Sequence, residues 1–380
     1  MKVVVAMDSF KGSLTSFEAG GAVSSGIQKV VPNAKVVVRP LADGGEGTVR
    51  ALVEGMNGKL EKVWVTGPLG TPVEAEYGRI EESKTAIIEM SAAAGITLVC
   101  DKERNPLNTT TFGVGELILD AIKKGSRHFI VGIGGSATND GGVGMLQALG
   151  YEFLDCQNHQ VPYGAKGLAM IEKISDCHVI PELKDCTFRI ACDVTNPLCG
   201  EQGCSAVFGL QKGATLSMIA KMDQWLANYA KLTQEKYKKA NGEEPGTGAA
   251  GGLGFAFLSY TNARLESGIK IVLEETKLES FLKDADIVIT GEGRLDVQTV
   301  MGKAPAGVAE IAKRYKKKVI AFSGCVTEDA AVCNQYGIDA FFPILRTVSS
   351  LDEALNPKNA YQNTVATVEQ VFRLIKCMED

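Results

Sequence analysis

Five loops of this chain carry carboxylates, each directly after a run that reads as a β-strand. They hold Asp8 with Lys11, Asp43 with Glu46, Asp140, Asp193 with Asn196, and Glu292 with Asp296, Gln298 and Lys303. A single Asp in such a place is most often a helix cap or a turn former. Five at corresponding strand ends match what phosphoryl transfer needs. That chemistry takes lysines and backbone amides for phosphate oxygens, carboxylates for Mg²⁺, and one carboxylate to accept a hydroxyl proton.

A second feature sharpens this reading. From His128 to Gly150 an apolar β-branched run stops at Gly134-Gly135, turns through Ser136-Ala137-Thr138-Asn139-Asp140, and reopens at Gly141-Gly142 into helical spacing. A strand–glycine elbow–helix exposes N–H groups and a helix N-terminus, which favour an anion. Other chemistries lack their residues. Gly293 to Lys303 has the wrong spacing for a phosphate-binding Walker loop, and Ala304 stands where Ser or Thr should be. Gly132 to Ala137 does not match GxGxxG, no Gly-x-Ser-x-Gly elbow exists, and His128, His159 and His178 are the only histidines.

Composition bounds the rest. At 380 residues two domains are expected. A net charge of −5 gives no electrostatic case for nucleic acid or an anionic membrane, and no apolar run approaches the roughly 20 residues of a membrane span. Asp8 and Lys11 follow the first apolar run too closely for a secretory signal. Ten cysteines without a CxxC pair fit free thiols in a reducing cytoplasm, not a zinc site.

The elements that must position these loops follow a βα grammar. Lys2 to Met7 and Ala34 to Val38 read as strands, the first followed by a helix capped by Thr15 and Glu18. A helix from Val49 follows the Asp43 loop. Short antiparallel-looking strands then run from Val63 to Glu89 between Gly/Pro turns. The βα pattern returns at Ala285 to Thr290, Val319 to Phe322 and Ala340 to Ile344, with Pro305 opening a helix. These readings predict an α/β protein of two domains: a doubly wound parallel-sheet domain from residues 1–65 plus 286–380, interrupted by a mixed α/β domain at 66–285.

Taken together, the segments DSFKGSL (Asp8 to Leu14), ADGGEGT (Ala42 to Thr48), GGSATNDGGVGM (Gly134 to Met145), CDVTNPLCG (Cys192 to Gly200), GAAGGLG (Gly248 to Gly254) and GEGRLDVQTVMGKAPAGVA (Gly291 to Ala309) resemble the bacterial type I glycerate kinases. The resemblance is colinear over essentially the whole chain. It implies ATP-dependent, Mg²⁺-dependent phosphorylation of D-glycerate in a cleft flanked by two α/β domains, the discontinuous one flavodoxin-like or Rossmann-like, with 2-phosphoglycerate favoured over 3-phosphoglycerate. Kinases of other small hydroxy acids, and a two-lobed anion-binding protein without chemistry, are the alternatives. A cytoplasmic monomer or homodimer is expected. Cys204 and Leu210 depart from the family pattern, standing where a small residue and a proline belong.

Roles follow from position. Lys11 and Lys303, with the Gly134-Gly135-Ser136 amides, are assigned to anion binding, and Asp8, Ser9, Asn139 and Asn196 to the substrate and phosphate surroundings. Glu292 and Asp296, beside Lys303, are the Mg²⁺ candidates. Asp193 is the candidate base, on a loop stiffened by Asn196 and Pro197, and Asp43 competes for that role.

Overall fold

The computed structural model describes residues 1–42, 45 and 47–379. The assignments made to Asp43 and Glu46 fall outside the described residues. The chain divides into two compact units: Met1–Asp43 with Arg50–Met56 and Ile269–Asp380, and Gly44–Val49 with Asn57–Gly268.

In the first unit the valine-rich run Lys2–Met7 is buried along nearly its whole length, as a strand covered on both faces must be. It pairs in parallel with Lys35–Val38 on one edge, Val3 opposite Val36, and with Ile287–Gly291 on the other, Val4 opposite Val288. Lys318–Ser323 and Ala340–Pro343 extend the sheet, also in parallel. Numbered along the chain, the spatial order of the five strands is 2-1-3-4-5, the flavodoxin-like order.

Alternation sends Val3, Val5 and Met7 to one face, where they pack with Ala19, Val23 and Ile27 of helix Ser16–Val30 and Val368 and Phe372 of helix Pro357–Glu379. Thr15 and Glu18 form the expected reciprocal cap, Oε2 of Glu18 accepting the Thr15 N–H at 2.9 Å. Gly26 lets the two helices approach closely, since a Cβ there would lie 2.7 Å from the Val365 carbonyl oxygen. Helix Ala304–Arg314 buries Val308, Ala309 and Ala312. It starts one residue before Pro305.

The second unit is built on a six-stranded mixed sheet in the order Ala263–Glu266, Thr187–Ala191, His128–Gly132, Thr85–Glu89, Pro72–Ile80, Lys59–Thr66. The first four run parallel and the last two antiparallel, so Thr85–Glu89 joins both styles. Phe129 and Phe188 stack on neighbouring strands with centroids 4.8 Å apart, and Phe257 adds to them at 5.6 Å. The sequence set unit boundaries at 65/66 and 285/286. Lys59–Thr66 pairs with Pro72–Ile80 along its whole length, and helices Gly268–Glu275 and Leu278–Leu282 group almost entirely with the first unit.

Candidate active site

Two groups of loops emerge at the carboxyl ends of parallel strands, one in each unit. In an open α/β sheet such ends are where ligands bind, above all where the strand order reverses. In the first unit the reversal lies between Lys2–Met7 and Ile287–Gly291, and Asp8 and Glu292 are the residues that directly follow these strands.

Asp8 is almost fully buried, and its Oδ1 accepts the Ser9 N–H at 2.6 Å. The exposed Lys11 belongs to a tight turn closed by Phe10 and Leu14, and this turn lies against Gly293, where a Cβ would sit 3.2 Å from the Lys11 nitrogen. Glu292, Asp296 and Lys303 come together: the Lys303 Nζ lies 3.5 Å from Glu292 Oε2 and 3.7 Å from Asp296 Oδ1. Thr299 binds the pair to each other, its hydroxyl donating to Glu292 Oε1 at 2.7 Å and accepting the Asp296 N–H at 3.2 Å. Asp296 also caps the following 3₁₀ turn through the Gln298 N–H and pairs with Arg294 at 3.2 Å. Burial pushes the Glu292 carboxyl up, opposed by the Thr299 hydroxyl and the Lys303 ammonium.

Among the described residues no group of three or more His, Cys, Asp or Glu side chains could hold a metal ion. A protein-only cage is not what Mg²⁺ needs here. It usually binds through one or two carboxylates, with waters and substrate phosphates completing its shell. Two nearly buried carboxylates with hard oxygen donors, beside one ammonium, fit that use.

In the second unit the glycine elbow begins where His128–Gly132 ends. Gly134 and Gly135 are exposed while Ser136 to Asp140 turn inward. Gly141 and Gly142 take left-handed φ values of 64° and 74°, conformations that L side chains rarely adopt. Asp140 is the hub of the turn. Its Oδ2 accepts the Thr111 N–H at 2.8 Å, the Thr111 hydroxyl at 2.9 Å and the Gly144 N–H at 3.3 Å, and its Oδ1 accepts the Gly142 N–H at 3.2 Å. Burial pushes this carboxyl up and the four donors act against it. Asp140 is thus occupied in holding the turn.

Asn139, assigned to the substrate surroundings, lies fully inside. Its amide donates to Ser205 Oγ at 2.9 Å and faces Met222 Sδ at 3.7 Å. Under the elbow sits a residue that the sequence did not single out: Lys212, only 3% exposed, donating to Ser136 Oγ at 2.8 Å and to the Thr138 carbonyl at 2.7 Å. No local pattern separates it from a solvated lysine; only the contact with the elbow does.

The neighbouring strand Thr187–Ala191 delivers Asp193 and Asn196. Asp193 is exposed, and its Oδ1 accepts the Gly268 N–H at 3.1 Å. The forked pair of Arg189 with Glu266, at 2.8 and 2.9 Å, ties this strand to Ala263–Glu266 two residues before Gly268. Asn196 anchors its own loop, donating to the Gln202 carbonyl at 2.8 Å while its backbone carbonyl accepts the Gly248 N–H at 3.0 Å. The second glycine cluster, which opens helix Ala249–Tyr260, contains Ala250, Gly251 and Gly252 in left-handed conformations. Cys204 is the buried first residue of helix Cys204–Phe208, its thiol against the Leu198 carbonyl at 3.3 Å, and Leu210 is exposed.

Comparison with known proteins covers the chain end to end. The model of the glycerate kinase family matches residues 3–376. A glycerate kinase from Haemophilus influenzae is 48% identical over 375 residues, 99% of each chain. A glycerate 2-kinase from Escherichia coli K12 is 47% identical over 363 residues, covering 96% of this chain and 95% of its own. A crystal structure from Salmonella typhimurium LT2, provisionally described as a glycerate kinase 2, superposes with a TM-score of 0.92 at 46% identity, over 100% of this chain and 99% of the other.

Proposed function

This chain belongs to the glycerate kinase family, and from that premise we propose that it phosphorylates D-glycerate with ATP, giving 2-phosphoglycerate in preference to 3-phosphoglycerate. The match over residues 3–376 carries the reading. The printed name of the E. coli relative supports the 2-position. Transfer in a cleft flanked by two domains, as the family resemblance implies, is part of the same proposal. So is a cytoplasmic monomer or homodimer; among the described residues no helix is long and apolar enough to cross a membrane.

In the proposed reaction the glycerate hydroxyl oxygen attacks the γ-phosphorus, the bond to the ADP oxygen breaks, and the hydroxyl proton passes to Asp193. Asp193 suits that role by its exposure and by the Gly268 N–H that holds one of its oxygens. Lys11, Lys303 and the Gly134-Gly135-Ser136 amides would bind phosphate or carboxylate oxygens, with Asp8 and Ser9 shaping the Lys11 turn. Glu292 and Asp296 would hold Mg²⁺, which when bound supplies charge neutralisation to the phosphates. Asp43, outside the described residues, stays the competitor for the base.

A panel of small hydroxy acids assayed for ADP release tests the substrate: D-glycerate should give the fastest turnover, dependent on Mg²⁺. Turnover with another acid and none above buffer with glycerate would overturn the assignment. The metal role has its own readout. Asp296→Asn keeps an oxygen for the Gln298 N–H, so the loop should stay folded while the Mg²⁺ concentration for half-maximal rate rises. An unshifted Mg²⁺ titration at saturating ATP and glycerate would remove Asp296 as a ligand.

A further inference from the structure

We infer that Lys212 is a positioning residue that turns the Ser136 hydroxyl into a dedicated hydrogen-bond donor for an anionic group at the glycine elbow. The inference rests on the reading of that elbow as an anion site. An ammonium has only donors, so the 2.8 Å contact from Lys212 Nζ occupies a lone pair of Ser136 Oγ and excludes the hydroxyl proton from that side. The proton must therefore point away from Lys212. Among the described residues no acceptor takes it, and the exposed Gly134 and Gly135 lie immediately upstream. A hydroxyl that has accepted from a cation is also a stronger donor, because hydrogen bonds in a chain polarise one another.

The lysine is held for this purpose. It ends the 3₁₀ turn Leu210–Lys212, which Gly213 closes in a left-handed conformation pressed on the Arg104 carbonyl, where a Cβ would stand 2.1 Å away. Its second donor fixes the Thr138 carbonyl, so one side chain spans both ends of the Ser136–Thr138 turn. Burial draws the ammonium down to about 8, with Asp140 of the elbow and Cys204 of helix Cys204–Phe208 acting in the opposite direction. A buried charge that the fold itself disfavours, held against a glycine elbow, is a candidate functional group.

The anion is a carboxylate or a phosphate oxygen, and separate titrations of glycerate and ATP distinguish them. Ser136→Ala, Lys212→Met and the double variant should each raise KM for one and the same substrate by roughly 10- to 100-fold, as loss of a hydrogen bond to a charged group does. The change in kcat should be smaller, and the double variant no worse than either single one. An altered KM in Ser136→Ala with normal KM in folded Lys212→Met would overturn the role of Lys212 and keep the elbow as a site. Unchanged KM values in Ser136→Ala would overturn the elbow reading itself. Should Lys212→Met not fold, the shorter, uncharged Lys212→Gln takes its place: KM for the same substrate must rise as it does in Ser136→Ala, and an unchanged KM overturns the inference.

Discussion

With Asp193 as the proposed base, Asp193→Asn should lower kcat by about 10²- to 10⁴-fold, the usual loss when a positioned general base is removed. Asparagine still offers an oxygen to the Gly268 N–H, now held at 3.1 Å, and the Arg189–Glu266 fork that fixes the neighbouring strand is untouched. What the proposed role would lose is the ability to take up the hydroxyl proton as the new P–O bond forms. The Mg²⁺ dependence should stay nearly unchanged, since the metal candidates Glu292 and Asp296 lie on another loop. Rates at saturating ATP and glycerate, with a Mg²⁺ titration of each variant, separate the two roles. Near-normal kcat in a folded Asp193→Asn protein would remove it as the base and move the assignment to Asp43.

The largest effect on stability is expected at Asp140. Asp140→Ala strips the acceptor from the Thr111 N–H, the Thr111 hydroxyl and the Gly142 and Gly144 N–H groups in a site with 1% exposure. Each buried donor left unpaired costs about 1–3 kcal/mol, and water entering the space recovers part of the sum. A net loss of about 3–5 kcal/mol follows, a large share of the roughly 5–15 kcal/mol by which domains are stable. Urea denaturation of the purified variant measures it directly. A loss below about 1 kcal/mol would mean that the turn is held by something other than this carboxylate.

These two aspartates show what could be read from the chain and what could not. Asp140 follows His128–Gly132, legible because a parallel strand is buried on both faces and Phe129 to Val131 is a continuous apolar run; Thr187–Ala191, before Asp193, is a weaker signal because Arg189 interrupts it. The elbow was legible too, since clustered glycines around Ser136 have few other uses. The direction in which each polar residue points was not legible. Asn139 turns inward to Ser205, 66 residues away, and Lys212 reaches Ser136 across 76. Nothing local encodes such partners. Glu292, Asp296 and Lys303 lie within one loop and helix start, so their meeting could be anticipated from spacing alone.

The pairing of Lys2–Met7 with Ile287–Gly291 also sets a timetable for synthesis. The strand Lys2–Met7 is made long before this partner, so one of its edges stays open until the chain has grown past Gly291. At about 5–20 residues per second, that interval is on the order of tens of seconds. Every strand of the six-stranded sheet has been made by then, the last being Ala263–Glu266. An inside-out order of folding is thus open to the chain: the second unit can mature while the valine-rich strand waits with an unpaired edge. Such an edge is a template for wrong partners, so this strand is where the nascent chain is most exposed to misassembly.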